Sequence, residues 1–163
     1  MSAEASPTVT IREFAPGDAI AFRQLNEEWI TRYFALEAKD VHALEHPEDA
    51  ILKGGGRIFF SVKDGVPVGC CALVSTADGE FEVAKMAVTE QAQGLGIGRG
   101  LLQRVIDEAR DAGATRLFLN TNTVLTPAIR LYESVGFRHI PAERVAPSEY
   151  VRANVFMELW FQR

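Results

Sequence analysis

The run "MAVTEQAQGLGIGRGLLQRVIDEAR", Met86 to Arg110, constrains the fold of this chain more than any other stretch. It opens as the end of an apolar strand. Four glycines then fall within seven residues, at Gly94, Gly96, Gly98 and Gly100. Leu101, Leu102, Val105, Ile106 and Ala109 follow with the spacing of one helix face, and Gly113 stops the helix. Strand, glycine loop and helix in that order form an arrangement suited to phosphate. The first-turn amides of a helix lack partners and carry the positive end of its dipole. Glycine lets the main chain approach an anion and take turns barred to other residues. The competing reading is a glycine-rich connector that holds nothing.

The rest of the chain supplies a sheet for this loop. "TVTIREF" alternates as a strand and ends at "PGD", where Asp18 is placed to cap a helix. Phe22, Leu25, Trp29, Tyr33 and Leu36 form the stripe of that helix. "AKDVHALEHPEDAIL" reads as a shorter helical or looped piece, and Gly54 to Gly56 as a turn. "RIFFSVK", "VPVGCCALVST" and "GEFEVAKMAV" are strands joined through Asp64-Gly65 and Asp78-Gly79, both good hairpin turns, so three antiparallel strands are expected. "TRLFLNT" is reached through a helix, which predicts a strand parallel to the one before the loop. "PAIRLYESV" is a second helix, with Pro127 in its first turn and Gly136 past its end, and "NVFMELWF" is a closing strand. The expectation is one α/β (α+β) domain over 8–163, preceded by a flexible 1–7.

Several function classes find no support. With 163 residues, 47% apolar and 24% charged, the composition is that of a soluble globular protein. A net charge of -5 argues against a nucleic-acid partner. No apolar run approaches the ~20 residues that span a bilayer, and "MSAEASPTVT" does not resemble a signal peptide. Cys70 and Cys71 are neighbours in an apolar run and would point to opposite faces of a strand, a poor geometry for a bridge. They read as reduced core residues of a cytoplasmic protein. No metal-ligand spacing and no Ser/His/Asp set emerges from His42, His46 and His139. Two familiar phosphate loops also fail. There is no Gly-Lys-Ser/Thr for a P-loop, and G-x-G-x-x-G breaks at Arg99 or at Leu101 depending on the starting glycine.

A third pattern fits. "QGLGIG", Gln93 to Gly98, resembles the Q/R-x-x-G-x-G/A signature of the GNAT superfamily of acyl-CoA-dependent N-acyltransferases. "EVAKMAV" upstream resembles that family's fourth strand, and "AIRLYESVGF" downstream its A-x-x-L-Y-x-x-x-G-F segment. The likeness covers roughly residues 8 to 162 in element order and is most specific over 82–137. It implies a mixed, mostly antiparallel central sheet flanked by helices on both faces. It also implies acetyl-CoA as co-substrate, no metal, and transfer of the acetyl group directly to a primary amine in a ternary complex. Transfer of a longer acyl group, or a non-catalytic acyl-CoA-binding module, remains open on the same likeness.

Site roles follow from the resemblance, residue by residue. Gln93, Gly94, Leu95, Gly96, Gly98 and Arg99 correspond to the positions that grip the pyrophosphate, with Arg99 adding a charge-assisted contact. Met86, Ala87 and Val88 correspond to the strand that pairs with the pantetheine arm, and the Met86 amide to the group that polarises the thioester carbonyl. Tyr132 matches the tyrosine near the coenzyme sulfur, where a phenol of ordinary pKa near 10 is matched to a departing thiolate. Its alternative is a packing residue that touches the coenzyme. Glu82 falls where some members keep a general base, and strand alternation sets Glu82, Ala84 and Met86 on one face. A solvated strand carboxylate is the other reading of Glu82. Leu125 stands where the family often has an asparagine, and Asn122 is the nearest residue able to supply that contact, unless it is a turn or capping residue.

For the acceptor, Glu28, Trp29 and Tyr33 are the first candidates, with Glu37, Asp40, Glu149 and Tyr150 beside them. A wall of carboxylates and aromatics suits a cationic amine, either a small molecule or a peptide. The plainer alternative puts Trp29 and Tyr33 in the core and the glutamates on a solvated face. Edge strands in such a sheet leave a monomer or a homodimer open.

Overall fold

The alternation of "RIFF" and "CCAL" decides the architecture of this protein. Its computed structural model describes residues 9–148 and 150–162; the polar start, 1–7, lies outside them. Arg57–Lys63 forms β2 and Val66–Ala77 forms β3, paired antiparallel after β1, Val9–Glu13. Ile58, Phe60, Cys70 and Ala72 pack on one face against Phe22, Ile30 and Leu44. Those three come from α1, Ala19–Tyr33, and α2, Ala38–Glu45. Phe59, Cys71 and Leu73 pack on the other face with Leu101, Leu102, Val105 and Tyr132, from α3, Ile97–Asp111, and α4, Thr126–Ser134. Both faces of the sheet are therefore covered by helices. The two cysteines are free and fully buried on opposite faces, and burial pushes the Cys70 thiol up to about 12.

The sheet has seven strands in the order β1-β2-β3-β4-β5-β7-β6. Here β4 is Glu80–Val88, β5 is Arg116–Thr121, β6 is Arg138–His139 and β7 is Val155–Trp160. Every pairing is antiparallel except β4 with β5, the pair joined through α3. This is the mixed, mostly antiparallel sheet that the family resemblance implied. Asp64 and Gly65 both take positive φ, 52° and 78°, as a tight primed hairpin turn requires.

Three local details differ from the sequence reading. Asp18 precedes α1, but its carboxylate accepts the Ala15 N–H at 2.7 Å and the Arg12 guanidinium at 2.6 Å instead of capping the helix. The α1 stripe ends early: the helix closes at Tyr33, which is half exposed, and Leu36 lies beyond it. The two-residue strand β6 was not foreseen, because two residues carry no alternation to read. The segment between α2 and β2 includes a π-helical turn, Glu48–Leu52.

Candidate active site

The parallel pair β4 and β5 is bonded over only three positions, Glu80–Arg116, Phe81–Leu117 and Glu82–Phe118. Beyond them β5 stays on β7 up to Thr121–Val155, while β4 runs on to Val88 paired with β3 alone. The two strands splay, and a cavity of about 570 Å3 opens between them. Main-chain groups of β4 that a neighbouring strand would occupy thus face a cleft. Buried backbone donors and acceptors need partners, so this edge is ready to pair with an extended ligand.

At one end of the cleft sits the glycine loop. Gly94 and Gly96 take φ of 86° and 76°, and Gly96 is the N-cap of α3 with no side chain capping it. A Cβ at either position would meet no protein atom within 4 Å, so crowding by the protein does not call for glycine there. The left-handed turn does, and so does clear space above it. The first helical bond runs from the Gly100 N–H to the Gly96 carbonyl at 3.0 Å, which leaves the earlier amides to point out of the turn. Gln93, Gly94, Gly96, Gly98 and Arg99 line the cavity; Leu95 does not, and is exposed. The Gln93 amide donates to the Val88 carbonyl at 3.3 Å, and Arg99 donates to Ser134 Oγ at 3.0 Å. An anionic group fits this turn by its donors, its dipole and the open space where Cβ atoms would otherwise stand.

Further along β4 the strand is broken by a bulge. Cys70 pairs with Ala87 and Ala72 with Ala84, so three steps on β4 match two on β3. Lys85 takes φ of 53°, a left-handed conformation unusual for a residue other than glycine. The extra residue overturns the expected sharing of a face by Glu82 and Met86. Glu82 stands opposite Val74, which packs on the α1 face, whereas Met86 packs with the α3 face. Both still line the cavity, as do Ala87 and Val88.

Tyr132 reaches the cleft from α4, its ring edge-on to Phe137 at 6.0 Å between centroids. Burial pushes its phenol well above the ordinary value, with the neighbouring Cys71 adding to the rise. The phenol is thus held in its protonated form, able to donate. Asn122 also lines the cavity, but its side chain is engaged elsewhere: Oδ1 accepts the Val124 N–H at 2.9 Å and Nδ2 donates to the Arg152 carbonyl at 2.6 Å. It is a turn residue that pins the chain near Arg152.

The opposite end of the cleft corrects the picture of a carboxylate wall. Glu28 lies outside the cavity lining and accepts from the Glu90 N–H at 3.2 Å and the Thr89 hydroxyl at 3.3 Å, tying α1 to the turn after β4. Asp40 is fully buried and bound to Lys85 Nζ at 2.5 Å and to both terminal nitrogens of Arg152 at 2.5 and 2.6 Å. Burial alone would raise its carboxyl, yet the bonds from Arg152 and Lys85 outweigh that and hold it at about 2. Burial draws the Lys85 ammonium down against the pull of Asp40. Glu37 accepts the Val151 N–H at 2.9 Å and sits 3.4 Å from the Arg152 guanidinium. Both carboxylates stand behind Lys85 and Arg152, and the two cations are what line the cavity. Trp29, Tyr33, Phe34 and Tyr150 complete this end. Glu149 lies outside the described residues.

Lys85 and Arg152 were missed in the sequence. A lysine within the apolar end of β4, "VAKMAV", was the one available signal for the first; Arg152 meets Asp40 across 112 residues and had none.

Residues 22–137 match the acetyltransferase (GNAT) family. The chain belongs to that family. It is 38% identical over 135 residues to an IAA acetyltransferase of Azospirillum brasilense, covering 80% of this chain and 85% of the relative. It is 34% identical over 142 residues to an amino-acid acetyltransferase of Neisseria meningitidis serogroup A, covering 83% of this chain but 30% of that longer protein. A GNAT-family acetyltransferase structure from Staphylococcus aureus Mu50 superposes with a TM-score of 0.85 at 20% identity, over 93% of this chain and 98% of that one, a likeness of fold. Among the described residues no helix is long and apolar enough to cross a membrane, and no group of three or more His, Cys, Asp or Glu is gathered to hold a metal ion.

Proposed function

We propose that the cleft binds acetyl-CoA and that the protein transfers its acetyl group to a primary amine within a ternary complex. One observation carries the reading: a single cleft runs from the amide-rich turn at the start of α3, along the unpaired edge of β4, to Tyr132 and Glu82. Membership of the acetyltransferase family, and relatives named as acetyltransferases of IAA and of amino acids, support it.

The coenzyme supplies an activated acetyl thioester; the residues of the chain do the rest. The amides of Gly94 to Arg99 hold the pyrophosphate, and the β4 edge at Met86 to Val88 bonds the pantetheine arm as a strand would. The Met86 N–H donates to the thioester oxygen as negative charge develops there, an effect worth about 3 kcal/mol for one such donor. Glu82 takes a proton from the acceptor ammonium, through water because it lies on the other face of β4 from Met86. The freed nitrogen forms its bond to the acetyl carbon and the carbon–sulfur bond breaks. Tyr132 gives its hydroxyl proton to the departing thiolate, which leaves as free thiol, and the second proton lost by the nitrogen restores the phenol through water. The proton first taken by Glu82 is the one released overall.

The test is release of free thiol from acetyl-CoA in the presence of a panel of amines, with the acetylated product identified by mass. Tyr132→Phe is expected to keep acetyl-CoA affinity within about two-fold while lowering kcat at least about ten-fold. A protein that binds acetyl-CoA and turns over no amine is a non-catalytic binding module, and the catalytic reading falls.

A further inference from the structure

We propose that Lys85 and Arg152 form a seat for a carboxylate on the acceptor, so that the acceptor is an amino acid and not a simple amine. The inference rests on the acetyl-transfer reading and names the substrate class of the same cleft. Of the charged side chains that line the cavity away from the glycine loop, two are cations, Lys85 and Arg152, and one is an anion, Glu82. Glu82 suits the ammonium of the acceptor; the cations suit an anionic group beside it.

The cations are held in position before any ligand arrives. Asp40, with no exposed surface, bonds both of them from behind, and Glu37 fixes the 151–152 main chain from which Arg152 projects. Arg152 presents a planar fork of five donors and Lys85 three, more than Asp40, Glu37 and Tyr150 take up. A guanidinium so oriented is suited to a second carboxylate. The bulge at Lys85 sends its ammonium to Asp40 of α2, and Glu82 faces the same α1/α2 side of β4 through its partner Val74. In an α-amino acid the nitrogen is one carbon away from the carboxylate, so one small molecule can present its ammonium to Glu82 and its carboxylate to the two cations.

The experiment uses protein saturated with coenzyme A and reads acceptor binding by calorimetry, so that chemistry is not required. The twenty common L-amino acids are titrated first. Each that binds is then compared with its α-carboxamide and with the amine lacking the carboxyl group. Loss of the carboxylate is expected to weaken binding about 10- to 100-fold, the scale of charge-assisted bonds. Arg152→Lys retains the charge and a partner for Asp40 but lacks the fork. It is expected to weaken amino-acid binding about ten-fold more than it weakens binding of the bare amine; a merely structural role would weaken both equally. The proposal is overturned if no amino acid binds to coenzyme-loaded protein, or if the amide and the bare amine bind as well as the acid. Failure of coenzyme A itself to bind removes the acetyl-transfer reading, and this one with it.

Discussion

The two ends of the cleft are built in different ways. The end proposed for the coenzyme is main chain: a contiguous run from Met86 to Arg99, in which positive-φ glycines and a helix start aim amides outward. The end proposed for the acceptor is side chain, with Asp40 from α2, Lys85 from β4 and Arg152 from the segment before β7 meeting across 45 and 112 residues. An amide site depends on local conformation and accepts many side chains around it, whereas an ion-pair site fails when any one partner is changed. A common coenzyme with a variable acceptor calls for that division of labour.

Predictions that separate the ends run from large to small. Glu82→Gln removes the proposed base and is expected to lower kcat by about 10²–10⁴ while leaving acetyl-CoA affinity within two-fold, measured by thiol release and by titration. An equal loss of coenzyme affinity would mean the two ends are not separable.

Asp40→Asn leaves Lys85 and Arg152 without their shared carboxylate. Breaking a buried ion pair in this way costs about 3–5 kcal/mol, to be read from denaturant unfolding. The pH dependence has a definite sign. Asp40 in the folded protein is held at about 2, below its ordinary 3.8, so the unfolded chain binds the proton more tightly. The stabilisation from Asp40 is complete above the ordinary value and is lost as pH falls from there through about 2. The variant should show a shallower acid limb, the remainder shared by Glu158, which Arg144 and Arg116 also hold at about 2, and Asp18, which Arg12 lowers.

Arg99→Gln should have the smallest effect. Arg99 is exposed, and its contribution to binding a phosphate is screened, so acetyl-CoA affinity is expected to fall only about three- to ten-fold. The difference between wild type and variant should shrink in high salt. A loss that salt does not change would point to a structural role through Ser134.

The same contrast explains what could be read from the sequence. Strand alternation in "RIFFSVK" and the spacing of Leu101, Leu102, Val105, Ile106 and Ala109 report local geometry, and the elements came out where those patterns put them. The glycine loop is local too, and its left-handed turns before a helix start were legible. The bulge at Lys85 was not, because its left-handed turn is carried by a residue with no preference for it, and so Glu82 and Met86 were assigned to one face. Asp40 was grouped with a carboxylate wall because sequence shows a charge but not its partner. Lys85 and Arg152 cover it, so the cations and not Asp40 face the cavity. Glu28 was misread for the same reason, since its bonds run to a turn 62 residues away.

The most direct test of the account is calorimetric titration of acetyl-CoA into the wild-type protein and into Gly96→Trp, with thermal unfolding of both recorded beforehand. A Cβ at Gly96 would meet no protein atom within 4 Å, so the strain of a left-handed tryptophan and its bulk both fall on the turn itself. The account predicts one acetyl-CoA per chain for the wild type and affinity reduced at least about 100-fold in a variant that still unfolds cooperatively. Equal binding by a folded Gly96→Trp protein would contradict it.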